Sequence, residues 1–147
     1  METYQLKQDI TVLYMQAASF PMGVEKAFKE LESKVADHTD RLLFGISRPD
    51  ESGQIIYKAA LKEAFDGEGA KLGCETIVIK KGPYLCETLT DWKDNKMQIG
   101  PTFMKLLADP RMDNSTYCYE WYNGDEMMCM ILLKPGSVPE EINELPF

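Results

Sequence analysis

The stretch from residue 116 to 134 constrains the fold of this chain more than any other. Residues 116–122 and 126–134 both read as strands. Between them, Asn123-Gly124-Asp125 carries the Asn-Gly pair that favours a tight hairpin, because both residues accept positive φ at little cost. The second strand, Met127-Met128-Cys129-Met130-Ile131-Leu132-Leu133, is apolar at every position, so both faces of its sheet must be covered. Helices can cover one face, and a second sheet or a cleft must meet the other. The methionines either fill core or let such a cleft adapt to varied apolar shapes.

The first strand of this hairpin, Tyr117-Cys118-Tyr119-Glu120-Trp121-Tyr122, holds one carboxylate among aromatic rings. Carboxylates are depleted in strand interiors, and burying one without compensation is costly. Two readings follow. Either the face bearing Glu120 is wet or paired with a Lys or Arg, or the compensating group is a cationic or polar ligand held by charge and by aromatic faces. Strand alternation puts Cys118, Glu120 and Tyr122 on one face and Tyr117, Tyr119 and Trp121 on the other, which makes Tyr122 a closer companion to Glu120 than Trp121.

Upstream, residues 9–19 read as a strand. Pro21 then suits the first turn of a helix in which Val24, Ala27, Phe28, Leu31 and Val35 recur at helical spacing. Glu25 with Lys29 and Glu30 with Lys34 lie four apart on its outer face, a solvated pattern. Residues 42–47 read as a strand, 48–53 as a hairpin loop, and a return strand sets Ile55, Tyr57, Ala59 and Leu61 on one face. Asp66-Gly67-Glu68-Gly69 reads as a connector and lacks the ending of a phosphate-cradling loop. The order then repeats: a strand over 74–80 that bends at Lys81-Gly82-Pro83-Tyr84 and runs on to 88, then a short helix opened by Gly100-Pro101 with Phe103, Leu106 and Leu107 inward, closed by Asp109-Pro110, then the hairpin. Two β-α-β-β halves emerge, about 9–66 and 72–134, with an irregular tail over 135–147 on which Phe147 docks. The expected class is α+β, one domain over 1–147, and 44% hydrophobic residues can supply its core.

Composition excludes several functions. With 24 acidic against 16 basic side chains the net charge is -8, which opposes a phosphate backbone, so no nucleic-acid binding by this chain is expected. No charged-then-apolar leader and no membrane-length apolar run is present, giving the expectation of a soluble, cytoplasmic protein without a membrane partner. Cys74, Cys86, Cys118 and Cys129 show no metal-ligand spacing and read as buried hydrophobes, so neither a metal nor a cofactor is expected. His38, at the end of the first helix, reads as a surface residue rather than a haem ligand or a partner for a cysteine nucleophile.

The order of elements, the Phe44-Gly45-Ile46 strand, the Lys81-Gly82-Pro83-Tyr84 bend and the late Tyr119-Glu120-Trp121-Tyr122 strand together resemble the GyrI-like small-molecule-binding domain, also called the AraC-type effector-binding domain. The resemblance spans about residues 9–134. It implies two β-α-β-β units related by a pseudo-two-fold, with antiparallel sheets and a central ligand cleft. Members include drug-sensing halves of multidrug transcription regulators, gyrase inhibitor proteins, hydrolases that open strained rings and, in a related family, haem binders. The family's glutamate, two residues before an aromatic, falls on Glu120 with Tyr122 at the aromatic position. The linker over 85–99, with Trp92 among Asp91, Lys93, Asp94 and Lys96, departs from the family pattern. Few residues precede the first expected strand, so a stand-alone form of bacterial type is expected.

Three functions follow from the resemblance. The leading one is a binding module, in multidrug sensing or transcription regulation, that holds an amphipathic or cationic small molecule. Glu120 would supply charge, and Tyr122, Tyr84, Tyr57, Trp121 and Trp92 would supply ring surface. The second is a hydrolase of small reactive or strained compounds with Glu120 as general base, in which a tyrosine hydroxyl donates a hydrogen bond. The third is an inhibitor-like module whose acidic surface meets a gyrase-like protein partner.

Overall fold

The computed structural model describes residues 1–139 and 141–147. In chain order the elements are β1 (Glu2–Leu6), β2 (Ile10–Gln16), α1 (Val24–Lys34), β3 (Leu43–Pro49), β4 (Ile55–Lys62), α2 (Glu68–Lys71), β5 (Glu75–Ile79), β6 (Gly82–Thr90), α3 (Ile99–Leu107), β7 (Cys118–Asn123) and β8 (Glu126–Leu132). The class is α+β and the ladders are antiparallel, as expected. Two compact units form, Ile10–Ile79 on one side, and Met1–Asp9 with Lys80–Phe147 on the other.

In the Ile10–Ile79 unit the strand order is β3-β4-β2-β5. The apolar stripe of α1 buries Ala27 and Leu31 against Leu13, Ala59 and Leu61, and Val35 ends the helix by donating its N–H to the Leu31 carbonyl at 3.1 Å. On the solvated face Lys29 pairs with Glu25 at 3.3 Å, and Lys26 rather than Lys34 reaches Glu30, at 3.9 Å. A polar clamp anchors the far end of the unit. Arg41 donates to both oxygens of buried Glu68, at 2.6 and 2.8 Å, and Glu68 also accepts the N–H of Ala64 at 2.9 Å. The guanidinium holds the Glu68 carboxyl below its ordinary range and is itself held more firmly protonated. The residues read as a plain connector thus form a one-turn helix, because a buried carboxylate is satisfied there.

The other unit has the order β1-β6-β8-β7. Gly124, at φ 64°, turns the β7–β8 hairpin and pairs Asn123 with Glu126. One face of β8 packs Met127, Cys129 and Ile131 against Phe103 and Leu106 of α3. The residues of the opposite face, Met130 and Leu132, are buried too, as are Tyr84 on β6 and Tyr119 on β7, whose rings meet edge to face at 5.9 Å. Burial of a strand apolar on both faces is therefore what the structure realises. The tail runs back along β1: Gln5 donates its N–H to Asn143 at 2.8 Å and accepts that of Leu145 at 2.9 Å, while Phe147 packs on Trp121 at 4.7 Å. Glu140 of this tail lies outside the described residues.

Two strands also differ from expectation. β1 is a strand, with Glu2 opposite Cys86 and Leu6 opposite Gly82, and its sequence Glu-Thr-Tyr-Gln-Leu has a single fully buried side chain to signal it. The strand over 75–79 does not run on into the second half; it pairs with β2, and β6 opens the second β-α-β-β unit. Both units consequently share one plan, a β-α-β-β motif whose first strand takes an extra neighbour, β5 on β2 and β1 on β6.

Candidate functional site

β7 sets the geometry around Glu120. Cys118 and Tyr122, two residues to either side on the same face, pack into the layer beneath α3, so the carboxylate lies on the α3 side of the sheet. Glu120 is 6% exposed. The Tyr122 hydroxyl donates to its Oε1 at 2.5 Å, a charge-assisted contact between side chains of one strand face. The Trp92 ring stands over Tyr122 with centroids 4.9 Å apart, and its indole N–H donates to the Gly124 carbonyl at 3.1 Å. That ring already meets one cation, the Lys93 ammonium, 5.7 Å from its centroid.

Beside the carboxylate the surroundings are soft and apolar. Cys129 lies directly opposite Glu120 on β8, with Met127 next along the same face, and the Cys129 Sγ approaches the Met127 sulfur at 3.6 Å. Burial first, then the negative charge of Glu120, pushes the Cys129 thiol far above its ordinary range and that of Cys118 up to about 11. These thiols stay protonated near neutral pH and offer no nucleophile.

A second carboxylate borders the same row, and sequence reasoning missed it. Glu87 on β6 is opposite Cys129 from the other side, and its buried Oε2 has no hydrogen-bond partner among the described residues. Its nearest cations stand beyond hydrogen-bond reach: the Lys105 ammonium of α3 at 3.6 Å and the Met1 amine at 3.8 Å. The only sequence signal was an acidic residue alternating with Leu85 and Leu89 on a helix-covered face.

The six expected site residues separate into groups. Glu120, Tyr122 and Trp92 come together. Tyr84 and Trp121 lie on the opposite face of the same sheet, Tyr84 with its hydroxyl donating to the Lys80 carbonyl at 2.6 Å. Tyr57 belongs to the Ile10–Ile79 unit, where it is buried between Phe20 and Phe28, at 5.8 and 6.1 Å. An open groove of about 540 Å³ in that unit is lined by Tyr14, Glu63, Cys74 and Glu75, none of them an expected site residue. Its polar groups are already engaged: Tyr14 donates to Glu75 at 2.8 Å and Gly69 N–H to Glu63 at 2.7 Å. Of the expected site residues, Glu120 is the one that buries a carboxylate beside aromatic rings.

Among the described residues no cluster of His, Cys, Asp and Glu is arranged to hold a metal ion, and no helix is long and apolar enough to cross a membrane.

Several solved structures share this fold. SAV2435 bound to tetraphenylphosphonium superposes over 90% of this chain and 93% of its own with a TM-score of 0.61 and 14% identity. An integron cassette protein from the mobile metagenome of Vibrio cholerae covers 90% and 94% with a TM-score of 0.63 and 11% identity. A proposed bacterial transcription regulation protein from Staphylococcus aureus covers 90% and 97% with a TM-score of 0.55 and 13% identity. No family model matches the sequence, and neither does a curated protein. At such identities the likeness is one of fold, shared with small bacterial ligand-binding and regulator-like proteins.

Proposed function

We propose that this protein binds a lipophilic organic cation on the α3 side of β7, with Glu120 supplying the charge and Trp92 and Tyr122 supplying aromatic walls. The observation that carries this reading is the 6% exposed carboxylate at the foot of a tryptophan–tyrosine pair. In such a setting a cation gains from the carboxylate and from ring faces at once, and a desolvated cation–π contact contributes about 2 kcal/mol. The tetraphenylphosphonium bound by SAV2435, which shares the fold, supports a ligand of this class. Ligand sensing in transcriptional control is the wider role we infer, in keeping with the description of the Staphylococcus aureus neighbour.

The test is a titration with tetraphenylphosphonium and with neutral triphenylphosphine oxide, read by Trp92 fluorescence in a Trp121→Phe background. Cation binding should quench or shift Trp92, and Glu120→Gln should weaken the cation at least ~10-fold, about 1.4 kcal/mol, while leaving the neutral analogue within ~2-fold. Equal losses for both ligands, or none for the cation, would remove this reading. The Tyr122–Glu120 contact also favours a second one, in which the carboxylate accepts a proton from water and the phenol steadies the substrate. Turnover of a strained-ring or ester substrate that Glu120→Gln abolishes would select it.

A further inference from the structure

We infer that residues 91–98 form a strap that swings off the α3 side of β7, with Trp92 as its latch. The strap joins the end of β6 to the start of α3 as two consecutive 3-10 turns, Trp92–Asp94 and Lys96–Gln98. Its hydrogen bonds are short-range. Asp94 N–H donates to the Asp91 carbonyl at 3.1 Å, Asn95 N–H to that of Trp92 at 3.1 Å and Gln98 N–H to that of Asn95 at 3.0 Å. The Asn95 side-chain amide returns to the Asp91 carbonyl at 3.0 Å, and at the far end the Thr102 hydroxyl of α3 donates to the Gln98 carbonyl at 2.7 Å. Every strap residue except Trp92 is exposed, Met97 by 91%. Among the described residues Trp92 is the strap's one tie to the β7–β8 hairpin, through its ring against Tyr122 at 4.9 Å and its indole N–H on the Gly124 carbonyl at 3.1 Å.

Segments with few buried apolar contacts and exposed, local hydrogen bonds open at much lower free energy than the sheets they lie on. Here one neutral hydrogen bond and one ring contact hold the closed position, so opening breaks little and keeps both 3-10 turns. Asp91 lies where the chain leaves β6, at φ 52°, a left-handed conformation that aspartate adopts more readily than most residues. As the loop residue at the strap's start, it is placed to absorb the change in direction. The strap's role rests on a cation binding at Glu120, as proposed above. A carboxylate only 6% exposed is reached when a neighbouring group moves aside, and Trp92 stands over the Tyr122 ring whose hydroxyl bonds that carboxylate. Opening then sets the rate of entry, and closing brings the Trp92 ring onto the bound cation.

Nitrogen relaxation dispersion on the ligand-free protein tests the strap by itself. The Trp92 indole N–H and the backbone N–H groups over 92–98 should share one exchange rate, while those of β7 and β8 stay quiet. Trp92→Phe keeps a ring over Tyr122 but removes the donor to Gly124, and should raise the open population ~3- to 10-fold. Phosphorus NMR line shapes of tetraphenylphosphonium then read entry and exit. Trp92→Phe should speed association ~3- to 10-fold, whereas loss of a mere ligand contact speeds dissociation and leaves association unchanged. Circular dichroism checks that the variant stays folded. Flat dispersion profiles along 91–98, motion confined to the Trp92 indole, or an unchanged association rate in Trp92→Phe would overturn the proposal. A wild type that does not bind tetraphenylphosphonium would remove the cation-binding reading instead, and the dispersion profiles alone would then decide whether the strap opens.

Discussion

Glu87 and Glu120 flank Cys129 in one cross-strand row, each directly opposite it, so two carboxylates share the face that α3 covers. Strand spacing sets their backbones about 10 Å apart. The Lys105 ammonium, 3.6 Å from Glu87, is the positive charge that α3 brings to this row.

Lys105 therefore opposes any incoming cation. Lys105→Ala should raise tetraphenylphosphonium affinity ~2- to 5-fold at low salt, with the gain shrinking as salt screens the repulsion. Glu87→Gln should lower affinity, but less than Glu120→Gln, because Glu87 is already partly neutralised. Isothermal titration at two ionic strengths reads both. A Lys105→Ala variant that binds more weakly would show that the lysine props the site open rather than competing for it.

Tyr122→Phe removes the phenol that donates to Glu120 at 2.5 Å while keeping the ring beneath Trp92. A hydrogen bond to a charged group is worth about 1.5–3 kcal/mol, so urea unfolding of the free protein should show a loss near the lower end of that range. Cation binding should persist, since the ring face is intact. A variant as stable as wild type would mean that the hydroxyl gains nothing over its contacts with water.

The Arg41–Glu68 clamp gives the fold an acid-sensitive component. Glu68 has its folded pKa depressed below the ordinary 4.5, with Arg41 as the main cause. A depressed carboxyl contributes stability that is present above the unfolded value and lost as pH falls through the folded one. The urea midpoint should thus decline as the pH drops below 4.5. Glu68→Gln, which leaves Arg41 buried with only Asp37 as anion, should be about 3 kcal/mol less stable at neutral pH and should have a flatter acid limb. Parallel acid limbs in the two proteins would exclude the clamp as their source.

A Cβ at Gly69 would stand 2.5 Å from the Cγ2 of Thr76 and 3.3 Å from the Cys74 carbonyl. Gly69→Ala should cost about 1–3 kcal/mol through overpacking, and adding Thr76→Ser, which deletes that methyl, should recover most of it. A double-mutant cycle from thermal unfolding measures the coupling, expected above about 1 kcal/mol. Additive losses would place the strain on the Cys74 backbone instead.

The hairpin at Asn123-Gly124, the two-sided burial of β8 and the common face of Glu120 and Tyr122 were all legible in the sequence, because turn chemistry and a period of two are local properties. Other features depended on chain path. Which neighbour residues 75–79 would choose is decided by where β2 lies, and nothing in Glu-Thr-Ile-Val-Ile states it. Trp92 reaches Tyr122 through a single short turn over Trp92–Asp94, too brief to leave a periodic trace. Tyr57 and Tyr84 read as ring surface for a ligand because they are aromatic residues of strands that the resemblance sets around a cleft. Their rings instead meet Phe20, Phe28 and Tyr119.

The separation of β1 from its own unit bears on how the protein is made. Ile10–Ile79 is a continuous stretch and can complete its ladders as soon as residue 79 has left the ribosome. β1 is synthesised before all of it, yet Glu2 finds its place only opposite Cys86, and the ladder it joins needs β8. During that interval the first strand is an unpaired passenger on a growing chain. Its polar Glu-Thr-Tyr-Gln sequence, which hides it from pattern reading, also gives a wrong edge little apolar surface to hold during that interval.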